Sequence, residues 1–146
     1  MICLEQVSKT YGKSGKKAVD SMTWNVEDGK ITGFIGPNGA GKTTTLKMIT
    51  GIIRPDEGRI TVNGHDIQKE GLEAKRQIGF VSDSPDSFLR LKGIEYLNFM
   101  ADMYDVPTQG RQERINEYAR KFEMEDALGS RIQSYSHGMR QKIMVM

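Results

Sequence analysis

One short stretch of the sequence has the residue types and the spacing that bind phosphate. The run GPNGAGKT, residues 36–43, matches the pattern of a glycine, any four residues, then glycine, lysine and a serine or threonine. Because its glycines carry no Cβ, successive backbone N–H groups can turn inward around an anion. We expect Lys42 to reach the terminal phosphates of a nucleotide and Thr43 to offer its hydroxyl to a bridging Mg²⁺ ion.

The residues on either side of this loop predict the structural context that the motif requires. Residues 31–35 form a short apolar run, bounded by glycines and too short for a helix, which predicts a buried strand. Residues 42–50 carry Leu46 and Ile49 at helical spacing, and Gly51 stands in the position of a helix stop. The order strand, loop, helix directs the positive end of the helix dipole at the anion.

Tyr11 is a second candidate, because it stands in a loop predicted between the first two strands. Residues 2–8 alternate as a weak strand, residues 9–17 are polar and contain glycine, and residues 19–26 resume the alternation. This pattern predicts an antiparallel hairpin. An aromatic ring in its loop could stack on a purine beside the phosphate site. The alternative is a tyrosine that packs over the hairpin.

The remaining periodicity separates a strand-rich first half from a helical second half. Further strands are predicted over residues 59–62 and 78–81, and an Asn-Gly dipeptide typical of tight hairpins follows the first of them. Two amphipathic helices are predicted between residues 91 and 122, with a break at Pro107.

Composition and charge narrow the functional classes. The 146 residues include 21 basic and 19 acidic side chains, for a net charge of +2, which argues against nucleic acid as a partner. The longest uncharged stretch, ITGFIGPNGAG, is far shorter than the roughly 18 apolar residues of a membrane span. The amino terminus lacks the apolar centre of a signal peptide and Cys3 is the only cysteine, so we expect a cytoplasmic protein.

The last residues, SYSHGMRQKIMVM, place Ser136 and Gly138 two apart in front of a basic run with helical periodicity. Together with VSKTYGK, FIGPNGAGKTTTLKMITGIIRPDEGRITVNGHDI and IGFVSD, this segment completes an ordered set of motifs. In that order the sequence closely resembles the nucleotide-binding domain of ABC transporters. Within that group it resembles the ATPase subunit of a bacterial exporter with separate membrane subunits.

The resemblance implies an α/β fold. Its expected parts are a P-loop NTPase core, an N-terminal antiparallel β subdomain and an α-helical subdomain, with the C-terminal part of the core sheet absent. It implies one partial nucleotide-binding domain over residues 1–146, with the β subdomain and P-loop core over about 1–83 and the helical subdomain over about 84–140.

The resemblance also implies roles for individual residues, with ATP and Mg²⁺ as cofactors. Tyr11 takes the adenine-stacking position, and Lys42 and Asp83 take catalytic positions. Thr43 and Asp83 are the implied metal ligands. SYSHGMRQ is similar to the family's LSGGQ signature, whose serine and glycine touch the γ-phosphate of an ATP held by the other subunit of a head-to-tail dimer. The implied nucleotide-binding set is Tyr11, Gly36, Asn38, Gly39, Ala40, Gly41, Lys42, Thr43, Thr44, Ser136 and Gly138.

Three departures from the family pattern affect the expected chemistry. Asp83 stands where the family usually has glutamine, and an ionised carboxylate accepts hydrogen bonds without donating any. His137 and Met139 alter the signature, beside Arg140. After Met146 no magnesium-binding aspartate, water-activating glutamate or phosphate-contacting histidine follows. We therefore expect a cut through a longer domain, ATP binding with hydrolysis near background, and an uncovered apolar strand edge that lowers stability or promotes association.

The function implied by the resemblance is an ATP-binding subunit that couples ATP binding and hydrolysis to substrate transport. Its expected partners are membrane-spanning subunits and a second ATP-binding subunit, which places it peripherally on the inner face of the cell membrane. Phe88, Leu89 and Tyr96 are candidates for contacting a membrane subunit, or else for packing within the helical subdomain. Alternatives are a soluble ABC-type ATPase that acts on ribosomes or DNA, and a nucleotide-binding module without catalysis. A GTPase is less favoured, because the sequence contains no N-K-x-D motif.

Overall fold

The computed structural model describes residues 1–12, 15–82 and 88–146. The chain divides into two compact units, Met1–Phe80 (unit 1) and Val81–Met146 (unit 2). Unit 1 carries the glycine loop, and unit 2 carries the segment that resembles the family signature.

Unit 1 is built on a four-stranded antiparallel sheet with the strand order β2-β1-β3-β4. Its strands are β1 (Ile2–Thr10), β2 (Lys17–Val26), β3 (Glu57–Val62) and β4 (His65–Asp66). Leu4 of β1 pairs with Trp24 on one side and with Ile60 on the other, so β1 is flanked by β2 and β3. The predicted antiparallel hairpin of the first two strands is confirmed.

The described residues of unit 1 also form two helices, α1 (Lys42–Ile49) and α2 (Gly71–Arg76). Helix α1 buries Met48 and Ile49 in the apolar core that the sheet lines with residues such as Leu4 and Ile60. Leu46 is exposed, because the buried face of α1 runs through Thr45, Met48 and Ile49 instead. The helix predicted after the glycine loop is therefore confirmed, with a different inward stripe.

Turn chemistry accounts for where these elements end. Asn63 (φ 49°) and Gly64 (φ 86°) both adopt the left-handed conformation between β3 and β4, as the hairpin predicted from this dipeptide requires. Gly51, also left-handed at φ 66°, follows α1, and its N–H donates to the carbonyl oxygen of Met48 at 3.0 Å. Both turns were predictable because they depend on glycine's access to positive φ.

Two predicted strands are wrong in this structure. Residues 31–35 and 78–81 lie outside every strand of the described part of the chain. Ile31 and Ile35 are exposed rather than buried, while Phe34 stacks on Trp24 with ring centroids 5.0 Å apart. A buried strand needs hydrogen-bonded neighbours and apolar cover on both faces, and the described strands pair only within the antiparallel sheet.

Unit 2 contains the two amphipathic helices predicted around Pro107 and a third helix at the signature segment. They are α3 (Gly93–Met103), α4 (Arg111–Phe122) and α5 (His137–Val145), with short 3₁₀ turns at Glu125–Ala127 and Ile132–Ser134. Arg111 fixes the connection between α3 and α4, because its guanidinium lies 2.7 Å from the Asp102 carboxylate and also donates to the Val106 carbonyl. A core centred on Leu97, Ile115 and Met124 joins the helices.

Asp66 is a buried carboxylate that the sequence analysis missed. Its Oδ2 accepts a hydrogen bond from Arg59 Nε at 2.8 Å, and its Oδ1 accepts from the backbone N–H groups of Gln68 at 2.9 Å and Lys69 at 3.2 Å. Burial raises the pKa of Asp66, but these hydrogen bonds together outweigh burial and hold the pKa below its ordinary value. The carboxylate thereby fixes the chain between β4 and α2.

Replacing Asp66 by asparagine should lower the free energy of unfolding at neutral pH by about 1–2 kcal/mol, because charge-assisted hydrogen bonds become neutral ones. Since folding lowers the pKa of this carboxyl, its contribution is complete above the pKa of the unfolded chain. It is lost as the pH falls through the folded value. Urea unfolding of the wild type and of Asp66→Asn should show that their free energies of unfolding become more similar as the pH falls from about 7 to about 3.

Asp20→Asn is the matched control, because Asp20 pairs with Lys17 at 2.6 Å on the exposed surface. Solvent screens such a pair, so this variant should change little at either pH. If the free energy of unfolding of Asp66→Asn stays below that of the wild type by the same amount down to low pH, the proposed role of the charge is contradicted.

Candidate functional site

The glycine loop enters α1 through two left-handed glycines. Gly39 and Gly41 have φ values of 81° and 82°, and the N–H of Ala40 donates to the carbonyl oxygen of Pro37 at 3.2 Å. A Cβ on Gly41 would lie 2.3 Å from the carbonyl oxygen of Ala18 in β2. The loop is therefore pressed against the sheet at Gly41, where no side chain fits.

Helix α1 begins at Lys42 without a capping side chain and without an acidic residue in its first turn. The first N–H groups of a helix have no carbonyl acceptor within that helix, so they carry the positive end of the helix dipole. Thr45 is buried, and its hydroxyl donates to the Gly41 carbonyl at 2.9 Å, which holds the start of the helix in shape. An anion of the size of a phosphate is a suitable acceptor for these amides.

Lys42 adds a full positive charge to the same place. Its Nζ donates to the carbonyl oxygens of Gly36 at 2.6 Å and Pro37 at 2.8 Å, so the side chain folds back over the loop. The ammonium group has three donors, and two of them are used here. The loop thus brings together a cation and an uncapped helix start, which is the electrostatic requirement for binding a polyphosphate.

The other predicted residues of the loop are accessible. Asn38, Ala40 and Thr43 are exposed, and Thr44 is half-buried. Thr43 is available to contribute its hydroxyl to a Mg²⁺ ion. Asp83, the second predicted metal and catalytic residue, lies outside the described residues, so the prediction for that pair of ligands stays a prediction.

Tyr11 follows β1 at the end of the hairpin nearest the loop. It is 49% exposed, and Lys9 Nζ lies 6.0 Å from its ring centroid. Thr10 pairs with Lys17, and the next residue, Ala18, lies against Gly41. The start of the Tyr11 loop is therefore at the same end of the β1–β2 hairpin as the glycine loop. The ring is about half exposed, and its stacking on a purine stays a prediction.

Asp56 fixes the strand end that carries Tyr11, and the sequence analysis missed it. Its Oδ2 accepts from the backbone N–H of Thr10 at 2.7 Å, and its Oδ1 accepts from Lys9 Nζ at 2.6 Å. The hydrogen bond from Lys9, followed by that from Thr10, lowers the pKa of the Asp56 carboxyl. The only signal in the sequence was an aspartate after proline in a turn.

Ser136 in unit 2 caps helix α5. Its Oγ accepts a hydrogen bond from the Met139 N–H at 3.3 Å, and its carbonyl accepts from the Arg140 N–H at 3.0 Å. The helix start predicted from the sequence is confirmed. Accepting this bond uses an oxygen lone pair, so the hydroxyl proton can still be donated to a ligand.

The residues after Ser136 divide between a surface and a core. Gly138 is exposed, and a Cβ added there would meet no atom within 4 Å. Met139 packs against the apolar core of unit 2, and Arg140 donates to the Gln133 carbonyl at 3.1 Å. Met139 and Arg140 thus have structural roles, while Ser136 and Gly138 face solvent.

The candidates for contacting a membrane subunit also divide between a core and a surface. They are Phe88, Leu89 and Tyr96. Tyr96 is buried and Leu89 packs against the core of unit 2, as the packing interpretation required. Phe88 is 46% exposed, and its ring lies 5.6 Å from Tyr96 and 5.4 Å from the exposed Phe99. Of the three residues predicted to contact a membrane subunit, only Phe88 presents a large exposed surface.

Within the described ranges, no three histidine, cysteine, aspartate or glutamate side chains converge to hold a metal ion. The same residues include no helix with the length and hydropathy needed to cross a membrane.

Comparison with known proteins identifies the family of this chain. A family model described as ABC transporter matches residues 19–146. The ABC transporter ATP-binding protein NatA of Bacillus subtilis is 34% identical over 148 residues, covering 99% of this chain and 60% of NatA. A solved structure of the ATP binding subunit of an ABC transporter superposes with a TM-score of 0.90 at 29% identity, covering 99% of this chain and 59% of that one.

A dimeric ATP-binding cassette, solved in a post-hydrolysis state with ADP and Pi, superposes with a TM-score of 0.85 at 22% identity. The superposition covers 99% of this chain and 67% of the cassette. At this identity the likeness shows the fold alone. The predicted α/β fold class is confirmed by these structures. The chain spans about three fifths of the length of NatA, 60% by alignment.

Alanine at Gly41 should destabilise unit 1 more than alanine at Gly39. Both positions need a left-handed backbone, which costs a residue with a Cβ about 1–2 kcal/mol. Only Gly41 also has an atom, the Ala18 carbonyl oxygen, where the Cβ would be placed. We expect urea unfolding to show a free energy of unfolding that is lower by about 2–4 kcal/mol in Gly41→Ala and by about 1–2 kcal/mol in Gly39→Ala. Equal losses would show that the loop does not pack on β2 as described.

Proposed function

Because the chain belongs to the ABC transporter family, in the group of its ATP-binding subunits, we propose that it binds Mg²⁺ and ATP through residues 36–44. In the whole protein we propose that ATP binding and hydrolysis drive substrate movement, of exporter type, through partner membrane subunits at the inner face of the membrane. The observation that carries this proposal is the uncapped start of α1 next to the Lys42 ammonium.

The phosphate tail of the nucleotide would lie against the N–H groups at the start of α1. Gly39 and Gly41 give the loop its path, and Lys42 supplies the charge that balances the terminal phosphates. Thr43, with Asp83, would hold the Mg²⁺ ion. When bound, that ion neutralises phosphate charge. The contribution of the chain is to orient the nucleotide and hold its phosphates in a fixed electrostatic field.

We infer that Tyr11 supports the adenine ring. It is exposed, its strand end is fixed by Asp56, and it lies at the sheet edge next to Gly41. A stacked base needs one accessible aromatic face and no particular hydrogen-bond pattern.

We infer that Ser136 and Gly138 contact the nucleotide held by a second ATP-binding subunit. The Ser136 hydroxyl can donate to a phosphate oxygen, and the space around Gly138 permits close approach of that ligand. The start of α5 directs a second helix dipole at the same anion. Phe88 and the neighbouring exposed Phe99 would provide the apolar contact for a membrane subunit.

Lys42→Ala should weaken Mg²⁺·ATP binding by about 30- to 100-fold, because it removes a charge-assisted contact from the site. Isothermal titration calorimetry of the folded chain is the measurement. Lys47→Ala is the matched control, since Lys47 is an exposed residue in the last turn of the same helix. Competition with GTP should show ATP bound as tightly or more tightly. A wild-type chain that binds no Mg²⁺·ATP, or variants that lose affinity equally, would sink the proposal.

Tyr11→Ala should weaken ATP binding by about five- to 50-fold, whereas Tyr11→Phe should retain most of it, because stacking depends on the ring and not on its hydroxyl. Tyr118 is the matched control: it is exposed on α4 and has Lys121 Nζ 5.2 Å from its ring centroid. Tyr118→Ala should leave affinity unchanged. Affinity for inorganic triphosphate should be the same in Tyr11→Ala as in the wild type. If triphosphate binding falls as well, Tyr11 acts on the loop and not on the base.

A further inference from the structure

We propose that Tyr135 is a positioning residue that holds Ser136 in place by locking the segment before α5 to the start of α3. The inference rests on the proposed function, in which Ser136 contacts the nucleotide of a second subunit. The lock consists of a buried phenol, a glycine that leaves room for it, and a short backbone ladder within unit 2.

The phenol of Tyr135 is held from two directions. The side chain is 4% exposed, and its O–H donates to the Ala127 carbonyl at 2.6 Å. A Cβ on Gly93 would lie 2.3 Å from the phenol oxygen, so the hydroxyl occupies the space that the absent side chain leaves. Burial raises the pKa of the Tyr135 hydroxyl, which keeps it a donor.

Gly93 is required here by space and not by backbone conformation. Its φ lies outside the left-handed range, unlike those of Gly39 and Gly41. The next nearest atoms to a Cβ on Gly93 would be Leu128 Cα and Cδ2, both at 3.3 Å. The phenol oxygen is therefore the one severe obstacle to a side chain at this first residue of α3.

A backbone ladder joins the same two segments. The N–H groups of Gly93 and Ile94 donate to the carbonyls of Ser130 at 3.1 Å and Leu128 at 3.0 Å. In the reverse direction, Ile132 donates to Leu91 at 2.9 Å, and Gln133 donates to Leu89 at 2.9 Å. These four hydrogen bonds, with an antiparallel bridge between Lys92 and Arg131, tie residues 89–94 to residues 128–133.

The ladder ends at Gln133, shortly before the candidate contact residue Ser136. Tyr135 is extended, with φ −74° and ψ 143°, and Ser136 is extended at the start of α5, with φ −61° and ψ 163°. The buried ring and the serine hydroxyl are therefore carried by consecutive residues, both in an extended conformation. Residues 89–94 thereby set the position of the backbone that carries Ser136.

A double-variant cycle tests the lock. Gly93→Ala should destabilise the chain and disturb α5, because the new Cβ collides with the phenol oxygen. Tyr135→Phe removes that oxygen, so the double variant should recover most of the loss seen in Gly93→Ala. Additive effects of the two substitutions would overturn the proposed contact.

Hydrogen exchange then distinguishes positioning from general stability. In Tyr135→Phe, the Met139 and Arg140 amides, which donate to Ser136, should exchange about three- to tenfold faster. Amides in the middle of α4 should keep their rates. Ile115→Val is the matched control, because it reduces the same core without touching the lock. Equal acceleration throughout unit 2, no acceleration at the two amides, or the same pattern in Ile115→Val would overturn the inference.

Self-association with Mg²⁺·ATP provides the functional measurement. Sedimentation of the chain should show Tyr135→Phe associating about three- to tenfold more weakly than the wild type, with unchanged affinity for Mg²⁺·ATP itself. Unchanged association in this variant would overturn the role of Tyr135. If the wild type binds ATP and does not associate, the proposed dimer contact fails, and the exchange rates still decide whether Tyr135 positions Ser136.

Discussion

The proposed phosphate site of unit 1 depends on one electrostatic arrangement, the open positive end of α1. Gly41 makes it possible, because only a residue without a Cβ can turn left-handed against the Ala18 carbonyl and start the helix there. The sheet supplies that carbonyl, and the packing of Met48 holds the helix in register. The fold of unit 1 thus leaves the first amides of one helix without a capping side chain, with Lys42 beside them, as the proposed phosphate site requires.

Unit 2 solves the same problem with a different residue. At α5 the start is capped by the side chain of Ser136 itself, and the segment before it is held by hydrogen bonds to residues 89–94. A glycine loop gives room to surround a ligand, whereas a serine cap on a braced segment gives one donor at a fixed point. This difference matches the roles proposed for the two sites, enclosure of a nucleotide and contact with one held by a second subunit.

Features that depend on a few adjacent residues were predictable from the sequence. The turn of the glycine loop at Gly39 and Gly41, the Asn63-Gly64 hairpin and the start of α5 at Ser136 follow from local backbone preferences. The strand predicted over residues 31–35 was wrong, because pairing and burial depend on neighbours that periodicity does not identify. The contact between the Tyr135 phenol and Gly93 was beyond prediction, since these residues are far apart along the chain and meet only after folding.

The contact between Trp24 and Phe34 has an optical consequence. Trp24 is the only tryptophan, and Phe34 lies two residues before Gly36. Indole emission depends on the polarity and mobility of its surroundings, so Trp24 is a natural fluorophore in contact with the residues that lead into the glycine loop. The chain carries its own spectroscopic reporter of that region, without any attached dye.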